Sequence, residues 1–164
     1  MKTLVGQIIM SLAFALSPDG KCRILALRGG GTHGAYEVGA MQGLIDEMSE
    51  LDRHYDQVAG VSIGAINGAQ LAIFDYGQEK EAMDFVRDTF FKTGTHAFWN
   101  YWKIPFLGPF HHNSFLDSSV MFQTYQEVLG DKPFKRGFSW TAVDFENGQV
   151  VVFDDSLPAD LIVR

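Results

Sequence analysis

Ser62 stands between two glycines in Gly60-Val61-Ser62-Ile63-Gly64, and the small-residue run Ala65-Ile66-Asn67-Gly68-Ala69 follows it. A serine on a sharp strand-to-helix turn needs neighbours with almost no side chain, because the turn crowds the adjoining backbone. Such a turn exposes the hydroxyl at a helix N-terminus, where unpaired N–H groups favour developing negative charge. The chemistry that fits is attack by the Ser62 hydroxyl on a carbonyl carbon, with Gly60 and Gly64 forming the elbow. Alone, the pentapeptide is a weak signal in a chain with 17 glycines, and acyl transfer also needs donors for an oxyanion. Gly29-Gly30-Gly31-Thr32-His33-Gly34 can supply them. Side chains in that loop would keep a carbonyl off the backbone, and one well-placed donor is typically worth about 3 kcal/mol in the transition state. Gly29, Gly30 and Gly31 are therefore the candidate oxyanion hole.

The elements needed to bring these two stretches together are legible on either side of them. Residues 22–27 make an apolar run of strand length that ends at the glycine loop, as a buried parallel strand would. From residue 35 the period changes to that of a helix, with Tyr36, Ala40, Met41, Leu44, Ile45 and Met48 on one face. A short second strand over 54–59 leads into Gly60, and residues 63–74 have helical composition. A strand–helix–strand crossover is almost always right-handed, so both strand ends emerge at the same sheet edge, where open α/β sheets bind ligands. The glycine loop and Ser62 are thus expected side by side.

Downstream, residues 79–91 read as a surface helix with Ala82, Phe85, Val86, Thr89 and Phe90 inward and Lys80, Glu81, Asp84, Arg87 and Asp88 outward. The aromatic stretch 96–112, interrupted by Pro105 and Pro109, suggests a loop or short helices rather than a strand. A further helix is expected from Asp117, with Gly130 as its stop. Strand-like runs at 138–145 and 149–153 flank Asn147-Gly148, a strong hairpin signal. Residues 156–164 resemble the start of a helix. The class is α/β with a mainly parallel sheet.

With 46% hydrophobic residues, the 164-residue chain can bury the core of one ordinary domain. A net charge of −7, without clustered Lys and Arg, argues against nucleic acid as a partner. Cys22 is the single cysteine and reads as a small core residue. Lys2, the apolar run 4–16 and the small-x-small Ala13-Phe14-Ala15 have the form of a signal peptide over 1–17, too short to span a bilayer comfortably. The division expected is a leader at 1–17 and a domain at 18–164, in a secreted or lumenal protein. The alternative, a first strand or an N-terminal arm, leaves the protein cytoplasmic or membrane-associated.

Three rival chemistries share some of these residues. The glycine loop also satisfies the dinucleotide fingerprint, but that reading needs an acidic residue at the end of the second strand, where Ser62 stands. It is kept as a dinucleotide-binding oxidoreductase alternative. A Ser-His-Asp hydrolase would use His96, His111 or His112, yet needs more strands between loop and elbow. His111-His112 lacks further spaced ligands for a metal, so neither a metal nor a cofactor is expected.

The strand, Gly29-Gly30-Gly31-Thr32-His33-Gly34-Ala35-Tyr36 and Gly60-Val61-Ser62-Ile63-Gly64-Ala65-Ile66-Asn67-Gly68 together resemble the patatin-like phospholipase family, from about Cys22 onward. The resemblance implies a three-layer α/β sandwich and a lipid acyl hydrolase of phospholipase A or lysophospholipase/esterase type. It implies Ser62 as nucleophile, the glycine loop as oxyanion hole, a lipid or acyl ester substrate, and a Ser–Asp dyad whose aspartate lies in a later Asp-Gly motif. Two departures stand out. His33 occupies a position where the family usually carries Arg or Lys, and the sole Asp-Gly, Asp19-Gly20, precedes the first strand. Asp144, Asp154, Asp155 and Asp160 lack the following glycine. The expectation is a domain truncated at its C-terminus, with the base beyond Arg164 and little turnover in this chain. The alternative is a non-catalytic lipid-binding relative. Trp99, Trp102 and their aromatic neighbours are candidates for contact with a membrane interface.

Overall fold

The computed structural model describes residues 18–94, 99–102 and 116–156. Its main sheet holds β1 (Ile24–Leu27), β2 (Gln57–Val61), β5 (Gly137–Val143) and β6 (Val150–Asp154), in that spatial order. The first three strands are parallel and β6 pairs antiparallel with β5. The helices are α1 (Gly34–Glu47), α2 (Ile63–Ala72), α3 (Glu79–Thr93) and α4 (Ser119–Leu129). A two-residue pair, β3 (Asn100–Tyr101) with β4 (Leu116–Asp117), lies apart from the main sheet. The α/β class and mainly parallel sheet are those expected.

One core joins all four helices to one face of the sheet. Leu27, Val58 and Phe138 from the strands meet Val38, Met41 and Ile45 of α1, Leu71 of α2, Met83 and Val86 of α3, and Leu129 of α4. Phe138, Trp140 and Phe153 extend it as a stacked aromatic ladder, with centroids 5.2 and 5.6 Å apart. Because side chains alternate across a strand, Ile24, Val61, Val143, Val150 and Val152 project from the other face, where they are exposed. The described residues thus build two of the expected three layers.

Several local expectations change. On α1 the buried face is Val38, Met41 and Ile45, while Tyr36 and Leu44 are exposed; the helical period was right and its phase was off by one neighbour. Cys22 is exposed, because the strand begins two residues after it. Asp117 belongs to β4 and accepts the Ser119 N–H just before α4, which starts two residues later than expected. Asn100 and Tyr101, within the stretch expected to avoid strand, form β3. The hairpin between β5 and β6 and the Gly130 stop, at φ +50, are as anticipated. Residues 1–17, 103–115 and 157–164, which carry the leader, most of the aromatic stretch and the last helix start, lie outside the described residues.

Charged residues fasten the amino ends of the strands. Arg23 N–H donates to Asp56 Oδ2 at 2.7 Å, and its guanidinium holds both Asp19 oxygens at 3.0 and 2.8 Å. Those bonds depress the Asp19 pKa below the usual carboxylate range. Arg136 is fully buried against Glu79 at 2.7 Å and also donates to the carbonyls of Tyr55, Phe74 and Asp75.

Candidate active site

Ser62 is the only non-glycine residue at positive φ among those described, with φ 54 and ψ −123. Such a conformation costs on the order of 1–3 kcal/mol and persists only where the surroundings enforce it. Gly60 and Gly64 show how they do so. A Cβ on Gly60 would come within 2.5 Å of Ala65 N and Cα, and one on Gly64 within 2.5 Å of Leu27 O. The elbow is therefore jammed between β1 and the first turn of α2, and only hydrogen fits on either side of the serine. Ser62 itself is exposed and makes no side-chain capping bond to α2.

The parallel register Leu27↔Gly60 sets the glycine loop beside the elbow. A methyl on Gly29 would lie 3.3 Å from Ser62 Cβ. Gly30 O is turned into the short helical turn Gly31–His33 and accepts from His33 N at 3.1 Å and His33 Nδ1 at 3.0 Å. A carbonyl can only accept, so His33 carries its proton on Nδ1 in this bond. Because a trans peptide points its C=O and N–H in opposite directions, the Gly31 N–H faces away from that turn. Gly31, at φ +55, has open space where a side chain would be.

Two further contacts fix the loop against the elbow helix. Asn67 Nδ2 donates to Gly34 O at 3.3 Å and to Glu37 Oε2 at 2.8 Å, tying α2 to the start of α1. A Cβ on Gly34 would collide with Ile63 Cγ1, so the two helix N-termini meet at closest approach. Gly31 and Ser62 line one cavity of about 610 Å³. Its walls are mostly apolar, with Val38, Ile63, Ile66, Phe90, Trp99 and Met121 contributing. Among the described residues, Arg87 is the one charged side chain that lines it, and Asp84 and Asp88 hold its guanidinium at 2.7 and 3.3 Å.

The structure thus brings together Gly29, Gly30, Gly31, Gly60, Ser62 and Gly64. It sets Asp19-Gly20 at the opposite, amino edge, bound to Arg23. Asp144 accepts from Glu146 N and Asn147 Nδ2, and Asp154 accepts from Ser156, so both serve turns. No Asp, Glu or His is among the described residues lining the cavity. His96, His111, His112 and Asp160 lie outside the described residues. Among those described, no group of three or more His, Cys, Asp or Glu could hold a metal ion, and no helix is long and apolar enough to cross a membrane.

The patatin-like phospholipase family model matches residues 25–156, which include the glycine loop, the elbow and every strand of the main sheet except the first residue of β1. The chain belongs to this family. No curated protein matches it. Membership in a family of lipid hydrolases accounts for an apolar cavity beside an exposed serine, and gives the chain lipid substrates as a general class. Two further residues border this cavity and its loop without a signal in the sequence. Arg87, expected on the outward face of α3, is half-exposed and lines the cavity with Phe90 and Phe91, three and four residues on. Asn67 enters the sequence only as part of the small-residue run after the elbow, and nothing there marks Glu37 as its partner.

Proposed function

We propose that the protein is a serine-dependent lipid ester hydrolase in which Ser62 is the nucleophile. The observation that carries the reading is the forced positive-φ conformation of Ser62, at the mouth of a helix and in one apolar cavity with Gly31. Strain held at an exposed hydroxyl is a feature of nucleophile elbows. In the reaction, Ser62 Oγ attacks the ester carbonyl carbon and loses its proton to a base. The Gly31 N–H, with those of its loop neighbours and of the first turn of α2, receives the charge that develops on the carbonyl oxygen. Collapse of the tetrahedral intermediate expels the alcohol and leaves an acyl-Ser62, which water then cleaves. The family resemblance makes the base an aspartate, and we place it outside the described residues.

A fluorophosphonate probe tests the assignment directly. Covalent labelling of the protein that disappears in Ser62→Ala supports it; labelling that survives the substitution rejects it. A second reading, a non-catalytic lipid binder, draws on the absence of any carboxylate or imidazole among the described cavity-lining residues. It is distinguished by lipid binding without labelling.

The reading extends to the interface at which a lipid hydrolase meets its substrate. Phe91 is 82% exposed and Trp99 40%, and both also line the cavity, so its rim presents aromatics to solvent. Replacing Trp99 and Trp102 with Ser is expected to weaken liposome binding, and unchanged binding would remove this part of the proposal. The leader-like residues 1–17 support a secreted or lumenal location, to be tested by N-terminal sequencing of the mature protein.

A further inference from the structure

A second cavity, of about 360 Å³, lies between α2 and α4 against β5. Ala65 and Ala69 line it from α2, Phe122 and Tyr125 from α4, and Phe138 and Trp140 from β5. None of its described lining residues is charged. Ile66 and Met121 line both this cavity and the one that holds Ser62. The two spaces are thus neighbours that share the side chains of Ile66 and the flexible Met121 as a common wall, and of the two only the first is lined by the nucleophile.

Protein interiors are close-packed, and walls without partner atoms lose dispersion attraction. Here α2 presents alanine at 65 and 69, on the same helix face, opposite two large rings, and a groove results where leucine at either position would have closed it. An aliphatic occupant would restore those contacts, whereas an ionic or strongly polar one would find no partner to replace its water. Because the two cavities share a wall, an occupant of the groove lies within reach of a molecule held at Ser62. A glycerolipid with two acyl chains has this form: one chain lies with its ester carbonyl at Ser62, and the other diverges from the same backbone past Ile66 and Met121.

Resting on the Ser62 reading, we infer that the cavity between α2 and α4 is a second acyl-chain site, so that the substrate class is a two-chain glycerolipid rather than a lysolipid. Natural fluorophores report on the two cavities separately, since Trp99 lines the first and Trp140 the second. With Trp102→Phe as background, Trp99→Phe leaves Trp140 as reporter and Trp140→Phe leaves Trp99. The probes are monomeric short-chain phosphatidylcholine and lysophosphatidylcholine, each with brominated acyl chains that quench indole on contact.

The two-chain probe is expected to quench both tryptophans and the one-chain probe Trp99 alone. Ser119→Phe, at an exposed residue lining only the second cavity, is expected to reduce Trp140 quenching at least fivefold and to leave Trp99 quenching unchanged. Quenching of Trp99 without Trp140 by the two-chain probe overturns the inference, as does equal quenching of Trp140 by the one-chain probe. If neither tryptophan responds while fluorophosphonate still labels Ser62, the second site is wrong and the hydrolase reading stands. Loss of labelling as well would reject both.

Discussion

Arg23, Asp56 and Arg136 immediately precede β1, β2 and β5, and each is bound to partners on a neighbouring segment. Ser62 immediately follows β2 at the other edge, exposed, and the loop after β1 is built of glycines. The same parallel sheet therefore uses its polar groups in opposite ways at its two ends. At the amino edge charge is neutralised by hydrogen bonds and fixes the strand starts. At the carboxyl edge backbone donors and the Ser62 hydroxyl stay available, and glycines that admit no Cβ, helped by the neutral hydrogen bonds of Asn67 and His33, hold them in place. Reactivity is thereby confined to one end of the fold, which draws on the stability that the other end supplies, because the elbow holds Ser62 in a strained conformation.

The largest effect that tests this division is at Arg136. Arg136→Met leaves the Glu79 carboxylate buried without its partner and is expected to cost about 3–5 kcal/mol in urea unfolding. Adding Glu79→Leu to it is expected to recover most of the loss. The mirror experiment is Ser62→Gly, which should abolish fluorophosphonate labelling while raising stability by about 1–2 kcal/mol, since glycine adopts positive φ without strain. A loss of stability instead would show that the elbow is not strained.

Smaller effects sharpen the picture within each edge. His33→Ala removes the side-chain bond to Gly30 O and is expected to slow labelling of Ser62 about fivefold to tenfold, the equivalent of one neutral hydrogen bond of about 1 kcal/mol. His33→Asn places an amide donor where Nδ1 was and should restore the rate; His33→Lys introduces a fixed charge without that geometry and should not. Rescue by Lys and not Asn would mean that His33 acts through charge. A further effect appears only in alkali, at Tyr125, whose phenol burial pushes up to about 12. An unfolded tyrosine ionises near pH 10, so folding stability is complete below that pH and falls as pH rises from about 10 to about 12. Thermal melts across that window should show the decline in the native protein and a flatter curve in Tyr125→Phe.

What could be read from the sequence follows the same division. The elbow and the glycine loop were legible because each is a local demand of the backbone, stated by glycines within four residues of Ser62 or in an unbroken run. The parallel crossover then placed them together by handedness alone. The buried Arg136–Glu79 pair was not legible, since nothing near either residue marks it as internal and the partners lie far apart in the chain. Tyr36 and Leu44 fit the period of α1 as well as Val38 and Ile45 do; only contact with α3 and the sheet decides which stripe turns inward. Arg87 shows the same limit, because a charged residue at the edge of an apolar stripe can face either water or a cavity.

Gly64 rests against the carbonyls of Leu27 and Arg28, which ties the elbow to a strand far earlier in the chain. Contacts of that separation carry a loop-closure cost that must be met before the contact rewards it. Until β1 docks, only the first turn of α2 constrains Ser62, and one side of the elbow is missing. The onset of probe reactivity during refolding is thus a clock for the docking of β1, and a protease or chaperone meeting the chain before that moment meets an inert polypeptide.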